Sequence, residues 1–540
     1  MRRFLTIPLL LATTVASQQI WDIFAVANDL GPLPNYSPSL APSSPINFVS
    51  PGTIGSADIH RGPHDGLTSQ SGDLAVRSPT PAALTLNNLK SKNSNNLLDL
   101  VELSLQSDGW GECCWAKLYK SSSGRVGFLC WSFDDTNGDT SFNGFNINDA
   151  PSYLFSVLKD IYSVNNLIKV HVLPWSPPGW MKGSGTMNGG SLQSQYVTYY
   201  ANYLLKCLQG FQNNGIPLYA ISIQNEPENS NPTYPTCTMS VAVEAQIGTA
   251  LRTLMNNNGF SSVKLIGFEH NWGDAGTYPI QLMQAAGNSF AGVSFHCYSG
   301  DVADQDTFHT AYPNKEIYFT ECTGTIGSDW WTDLKWYMDN IFIGSIEHNS
   351  HSALMWNIRL DGNGDPVYPG TSSCGGGCRA IVQVNSDGSY SLNQEFYAMA
   401  QASKAIIPKD VGGPFGKRVK VTVGGSLNWA LRVGAYVTGR VSSTDWLRYS
   451  LVVLNWDDTP NGSWSPTPVL TTIEFNGMQA TYTFPVGITT LWWYAPPTSS
   501  LNATAAQEPF KIFAETQPLK QKSFAIHGWL HKFVGRFGIS

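Results

Sequence analysis

Three acids stand where short apolar runs stop: Glu226 in ISIQNEPE, Glu269 in LIGFEHNW and Glu321 in IYFTECTG. A carboxyl group at the end of a buried strand lies between a dry core and an open rim, where burial and neighbouring charge can keep one acid protonated and another ionised. Two such carboxyls facing each other are the minimal equipment for splitting a glycosidic bond. Aromatic residues end other runs in the same way: Trp175 and Trp180 in PWSPPGWMK, Tyr298 in FHCY and Trp356 in LMWNI. One glutamate at a strand end is more often a structural acid, and one Trp more often fills a core. Several of each at a single rim point instead to a site that stacks and cuts sugars.

For these residues to meet, the strands that carry them must run parallel and open on one face. From about residue 150, short apolar runs at 168–174, 218–223, 263–268, 292–298, 316–320 and 353–358 alternate with helical periods at 153–164, 193–212, 241–256, 330–342 and 395–406. Near-continuous apolar strands predict a sheet covered on both faces, and the repeated alternation predicts an α/β fold, a (β/α)8 TIM barrel whose site lies at the carboxyl ends of the strands. No G-x-G-x-x-G follows a strand, which argues against a dinucleotide site. After Pro408 the texture changes to β-branched, Trp-rich segments at 419–423, 429–437, 449–456, 469–475, 480–486 and 488–494, predicting an attached C-terminal antiparallel β-sandwich.

Only 13% of residues are charged, the net charge is -7, and the basic residues are scattered, so the electrostatic footprint of a nucleic-acid binder is missing. Arg2 and Arg3, an apolar stretch to Val15 and the small residues Ala16 and Ser17 follow the order of a secretory signal peptide, and no other apolar run approaches the roughly 20 residues of a membrane helix. Export makes Asn35, Asn461 and Asn502, each heading an N-x-S/T triplet, candidate glycan acceptors. Nine cysteines are an odd number; Cys374 and Cys378 can close a small Gly-rich loop, and no group has zinc-ligand spacing. No metal and no cofactor are expected.

From Trp131 to about Pro496 the chain resembles glycoside hydrolase family 30, which holds fungal endo-β-1,6-glucanases and glucosylceramidases. SFDDT, PWSPPGWMK, ISIQNEP, VSFHCY, IYFTE, LMWNI and EFYAMAQASKAI occur in the family order. PTYPTCTMS and EIYFTECTGT look closer to the fungal β-1,6-glucanase branch. The resemblance implies a retaining double displacement, with Glu226 as general acid/base and Glu321, at the end of the seventh strand, as nucleophile. Retention requires their carboxyls to lie about 5 to 5.5 Å apart. By the same resemblance Asn225 binds the sugar 2-hydroxyl, His296 and Tyr298 flank the nucleophile, and Trp175 and Trp356 wall the sugar. Glu269 and His270 are read as rim residues of structural rather than chemical importance.

The family's first two strands are not intact here. Residues 59–82 give no strand, 101–130 depart from the pattern, and INFVSPGTIGSADI and 84–96 stand as matching islands between them. Such islands are what shifted reading frames or mis-spliced exons produce, and Arg125 is the one residue that could replace the family's pocket arginine. The expected organisation is a signal peptide at 1–17, an N-terminal segment at 18–83 that is partly aberrant, a barrel at 84–408, a sandwich at 409–496 and a C-terminal tail at 497–540. The expected function is a secreted, extracellular, monomeric hydrolase acting on a polysaccharide, a β-glucan, without nucleic-acid partners or stable membrane insertion. The alternatives are a glucosylceramidase-like hydrolase and a catalytically impaired carbohydrate-binding product of a mis-spliced gene.

Overall fold

The computed structural model describes residues 132–515 apart from 152, 357, 368–373, 375–376, 409–412, 440, 443–446, 459–464, 476–477 and 496–509, together with the backbone of strands at 19–27, 39–41, 46–47, 111–112, 116–120 and 126–130. The expected signal peptide, Arg125 and the three candidate glycan acceptors lie outside the described residues.

Alternating elements fill the first part: α1 (Leu154–Val164), β1 (Val170–Leu173), α2 (Val197–Asn213), β2 (Leu218–Ser222), α3 (Val241–Asn257), β3 (Lys264–Asn271), α4 (Tyr278–Ala286), β4 (Gly292–His296), α5 (Gln305–Ala311), β5 (Glu316–Glu321), α6 (Trp330–Trp336) and α7 (Gln394–Ile406). Strands β1 to β5 pair in parallel in strict chain order, which is the curled sheet of a barrel. Their buried pattern is unbroken in β1 and β4, as a sheet covered on both faces requires. Among the described residues ahead of β1, Gly111–Glu112 adds to this sheet, while Ala116–Lys120 and Val126–Cys130 pair with each other antiparallel.

Several elements differ from the sequence expectation. The apolar run at 353–358 lies extended beside β5, with amide bonds from His351 to the Ile317 carbonyl (2.7 Å), from Leu354 to that of Phe319 (3.2 Å) and from Trp356 to that of Cys322 (2.8 Å), but it builds no regular strand ladder. The expected helix at 330–342 divides, with α6 passing into a π-helix at Tyr337–Ser345. Helices α4 and α5 span 9 and 7 residues, too short for a 3.6-residue period to stand out.

Beyond α7 come β6 (Leu431–Thr438), β7 (Leu447–Asn455), β8 (Val469–Phe475), β9 (Met478–Phe484), β10 (Gly487–Ala495) and β11 (Phe510–Glu515). A seven-stranded sheet containing β6, β7 and β10 faces a four-stranded sheet containing β8, β9 and β11. Val433, Leu451, Val453, Leu491 and Trp493 point into the core between the sheets, while Tyr436, Val452, Leu454 and Ile488 point the other way, into the barrel's cluster. Helix α7 lies on that second face: Ser450 Oγ donates to the Ala405 carbonyl (2.6 Å) and Thr490 Oγ1 to that of Gln401 (2.9 Å). The sandwich recruits four strands from outside 409–496, among them Ser39–Ala41 and Ile46–Asn47, which pair with Gln19–Ala27. Gln19–Ala27 pairs antiparallel with β10, and β11 comes from the segment expected as a tail and pairs in parallel with Val421–Gly424, so the sandwich is not wholly antiparallel.

Gly292, at the start of β4, meets β5 so closely that a Cβ there would sit 1.9 Å from the Glu316 carbonyl oxygen. This contact sets the spacing of the two strands that end in His296 and Glu321. Gly292→Ala is therefore expected to destabilise the fold by about 1–3 kcal/mol and lower the thermal midpoint; an unchanged melting curve would contradict this spacing.

Candidate active site

Glu226 lies in the turn after β2, with a left-handed backbone (φ 45). Its amide donates to the Glu269 carbonyl (3.0 Å), and the amide of Asn225 donates to the Pro174 carbonyl (2.9 Å), so the turn is tied to the ends of both neighbouring strands. A residue with a Cβ keeps this conformation only when its surroundings impose it, and such strain gathers at functional positions. The Glu226 carboxylate accepts from Asn229 Nδ2 (2.8 Å) on one oxygen and pairs with His296 Nδ1 (3.2 Å) on the other, with His270 Nδ1 3.8 Å away.

Glu321 closes β5 and is 6% exposed. Tyr298 Oη donates to its Oε1 (2.9 Å), while the Tyr298 amide donates to Asn271 Oδ1 (3.0 Å) at the end of β3. Burial pushes the Glu321 carboxyl up to about 7, assisted by the charge of Glu226 and opposed by His296. Burial also acts to raise Glu226, but its hydrogen bond to His296 and the positive charge there win, holding it at about 2. His296 is fully buried, which alone would favour its neutral form; Glu321, Glu226 and Glu269 reverse this and raise it to about 10. Between these two positions on the pH scale the pair carries one proton, on the Glu321 side.

The expected residues gather around this pair. Trp175, after β1, and Trp356, from the extended run beside β5, lie with ring centroids 6.3 Å apart at 31°. The Trp175 and Trp356 indole nitrogens and Asn225 Oδ1 are buried without a hydrogen-bond partner in the protein, so polar groups are left to meet a ligand. His296 is the ladder partner of Glu321 and turns its ring to Glu226, while Tyr298 is the group hydrogen-bonded to Glu321. Trp180 does not join the wall: its indole donates to the Asp134 carbonyl (2.9 Å) and its ring packs edge-on against Tyr196 at 5.1 Å. Glu269 is fully buried, not at the rim. Tyr234 escaped the sequence reading; it lies in the long loop after β2, outside any periodic pattern, yet its ring meets Trp175 at 6.1 Å and its hydroxyl accepts from Asn229. Beside the acid-bearing turn, a cavity of about 700 Å³ is lined by Pro227, Glu228, Met239, Val241 and Tyr278 among others.

Glu226, His270 and His296 bring donor atoms within 4.8 Å of one another, as do Glu228, His270 and Asp274. No helix among the described residues is long and apolar enough to cross a membrane.

The Glycosyl hydrolase family 30 TIM-barrel domain matches residues 102–406, and the chain belongs to that family. The Endo-1,6-beta-D-glucanase of Neurospora crassa is 31% identical over 324 residues, covering 56% of this chain and 62% of that protein. The Putative glucosylceramidase 2 of Caenorhabditis elegans is 26% identical over 211 residues, covering 36% of this chain and 40% of that protein. Among solved structures, the endo-beta1,6-glucanase BT3312 is similar with a TM-score of 0.58 and 25% identity, over 68% of this chain and 79% of that one. The chain spans about three fifths of the length of the first curated relatives it matches.

Among the described residues two disulfides form. Cys374–Cys378 closes the expected small loop, and Cys297–Cys322, which the sequence did not single out, joins the residue after His296 to the residue after Glu321. Cys207 and Cys237 are buried and free. Because closing a longer loop restrains the unfolded chain more, replacing both Cys297 and Cys322 by Ala should cost roughly 3.5 kcal/mol, against about 2 for the Cys374 and Cys378 pair. Thermal melts of the two double variants check this, and an equal or reversed order would contradict it.

Proposed function

We propose that this chain is a secreted, monomeric, retaining endo-β-1,6-glucanase. The carrying observation is that Glu226, held by His296 and Asn229, and Glu321, held by Tyr298, end neighbouring parts of one parallel sheet close enough for the charge of Glu226 to raise Glu321. In the first step the Glu321 carboxylate attacks the anomeric carbon as the Glu226 carboxyl donates its proton to the departing glycosidic oxygen, leaving a glycosyl ester on Glu321. In the second, Glu226, now ionised, takes a proton from water as that water displaces Glu321, and the sugar leaves with its original β configuration. In the unliganded site a proton is favoured on Glu321 and disfavoured on Glu226, so the first step requires that it pass to Glu226.

Asn225 Oδ1, free of protein partners, is placed to accept from the sugar 2-hydroxyl, an interaction that strengthens as the ring flattens. Trp175, Tyr234 and Trp356 form a wall on which a sugar face can stack. A β-1,6 bond hangs the next sugar on a flexible exocyclic carbon, so a stacking wall that restricts it suits this linkage better than an apolar groove suits a lipid. Similarity to the Neurospora crassa endo-1,6-β-D-glucanase supports the same substrate, and the order of residues at the amino terminus supports export.

Glu321→Gln is expected to abolish turnover. Glu226→Ala should lower hydrolysis of linear β-1,6-glucan by about 10²–10⁴-fold while sparing the first step with an activated aryl β-glucoside, whose leaving group needs no proton. Product release followed by NMR should show the β anomer first. Faster cleavage of glucosylceramide in detergent than of β-1,6-glucan would replace this reading with the glucosylceramidase-like one. Binding of glucan without cleavage of either substrate would favour the impaired product.

A further inference from the structure

Glu269 is a fully buried acid to which the two-step reaction gives no task. It follows Phe268 in a pair of left-handed residues at φ 74 and 51, inside the span of β3, an arrangement that persists only under outside support. That support is visible. The Phe268 amide donates to Glu244 Oε1 (3.0 Å), and Glu244, on α3, also accepts from the Tyr278 hydroxyl (2.7 Å) at the start of α4. The irregular backbone turns the Glu269 carbonyl toward the Glu226 amide and its carboxylate inward, beneath the site.

The carboxylate is held on every side. Ser222 Oγ donates to Oε1 and Thr320 Oγ1 to Oε2 (2.6 Å), while His171 Nε2, 2.6 Å from Ser222 Oγ, completes the chain. Burial lowers His171 to about 4, so it stays neutral and acts as a donor to Ser222. Burial acts to raise Glu269, but His296, His171 and the two hydroxyls hold it at about 2. Glu269 Oε2 lies 3.7 Å from His296 Nε2, whose other nitrogen meets Glu226.

We propose that Glu269 is a positioning residue: its buried carboxylate fixes His296 as an imidazolium against Glu226 and thereby sets the pH range in which the Glu226–Glu321 pair holds a single proton. This rests on the assignment of Glu226 and Glu321 as the hydrolytic pair. The groups facing His296 are Glu226 from the turn after β2, Glu269 and His270 from β3, Glu321 from β5 and Tyr298 just beyond its own strand. Burial lowers His270, so the positive charge resides on His296. An imidazolium beside the pair eases loss of protons from both carboxyls. Without the Glu269 charge, His296 gives up its proton more readily, and each carboxyl then keeps its own to higher pH; on Glu321 this outweighs the smaller direct push from Glu269 itself.

Glu269→Gln keeps the volume and an acceptor for one of the two hydroxyls, Ser222 or Thr320, while removing the charge. On linear β-1,6-glucan, both limbs of the kcat/KM pH profile are expected to move up by about one unit, about a tenfold loss on the acid limb, with kcat/KM near the parent value at the displaced optimum. In the full chain labelled with ¹⁵N-histidine, His296 should give an imidazolium signal at pH 7 in the parent and a neutral signal in the variant. Glu269→Asp, which keeps the charge but draws it away from His296, should shift the limbs less in the same direction and serves if Glu269→Gln does not fold. Limbs that stay in place, including a uniform loss of activity at every pH, or an unchanged His296 signal, would overturn the proposal. Failure of the pair assignment shows itself separately, as turnover by Glu321→Gln, since the His296 signal does not depend on activity.

Discussion

His296 has no exposure to solvent, yet carboxyls approach it from three strand ends, and a charge in that position must be matched by its neighbours or be lost. The match is made on one side by Glu226 at 3.2 Å and on the other by Glu269 at 3.7 Å, with Glu321 contributing through its charge. Removing any one of these acids would weaken the hold on the buried imidazolium. The cluster therefore constrains β2 to β5 together, and the left-handed turns at Glu226, Phe268 and Glu269 are the backbone distortions by which the strand ends reach it.

What brings the ends so near is the parallel sheet itself. Gly292 permits close approach of β4 and β5, Cys297–Cys322 links the two strands just past their functional residues, and the tyrosine of the same segment spans to Glu321. Outside the barrel, α7 joins this scaffold to the seven-stranded sheet, whose alternate residues face α7 and the inter-sheet core. The sandwich thus backs the barrel through a shared apolar layer and direct side-chain bonds to the helix carbonyls.

Much of this was legible in the residues. The apolar runs at β1 to β5 are short, nearly unbroken and followed by chemically distinctive residues, so strand ends and candidate carboxyls were found together. What escaped was long-range or irregular. Nothing in 353–358 distinguishes an extended segment from a strand, since the difference lies in which amides find partners. The strands Gln19–Ala27 and β11 are far in sequence from the sheets they complete, and pairing at that distance leaves no local period. Glu269 looked like a rim acid because an ordinary strand would carry it outward; two left-handed residues turn it into the core instead. Tyr234 belongs to a loop whose path is fixed by contacts rather than by pattern, and the pairing of Cys297 with Cys322 depends on strands 25 residues apart in sequence ending side by side.

The central claim is that Glu321 becomes covalently bonded to sugar while Glu226 manages the proton. Incubation with a 2-deoxy-2-fluoro-β-glucosyl fluoride, which slows release of the intermediate, followed by peptide mass spectrometry, reads this bond directly. The account predicts one fluorosugar per chain, on the peptide carrying Glu321, and none in Glu321→Gln. A label on Glu269 or Glu226, or steady turnover of β-1,6-glucan with no covalent adduct and inversion of the anomer, would contradict it.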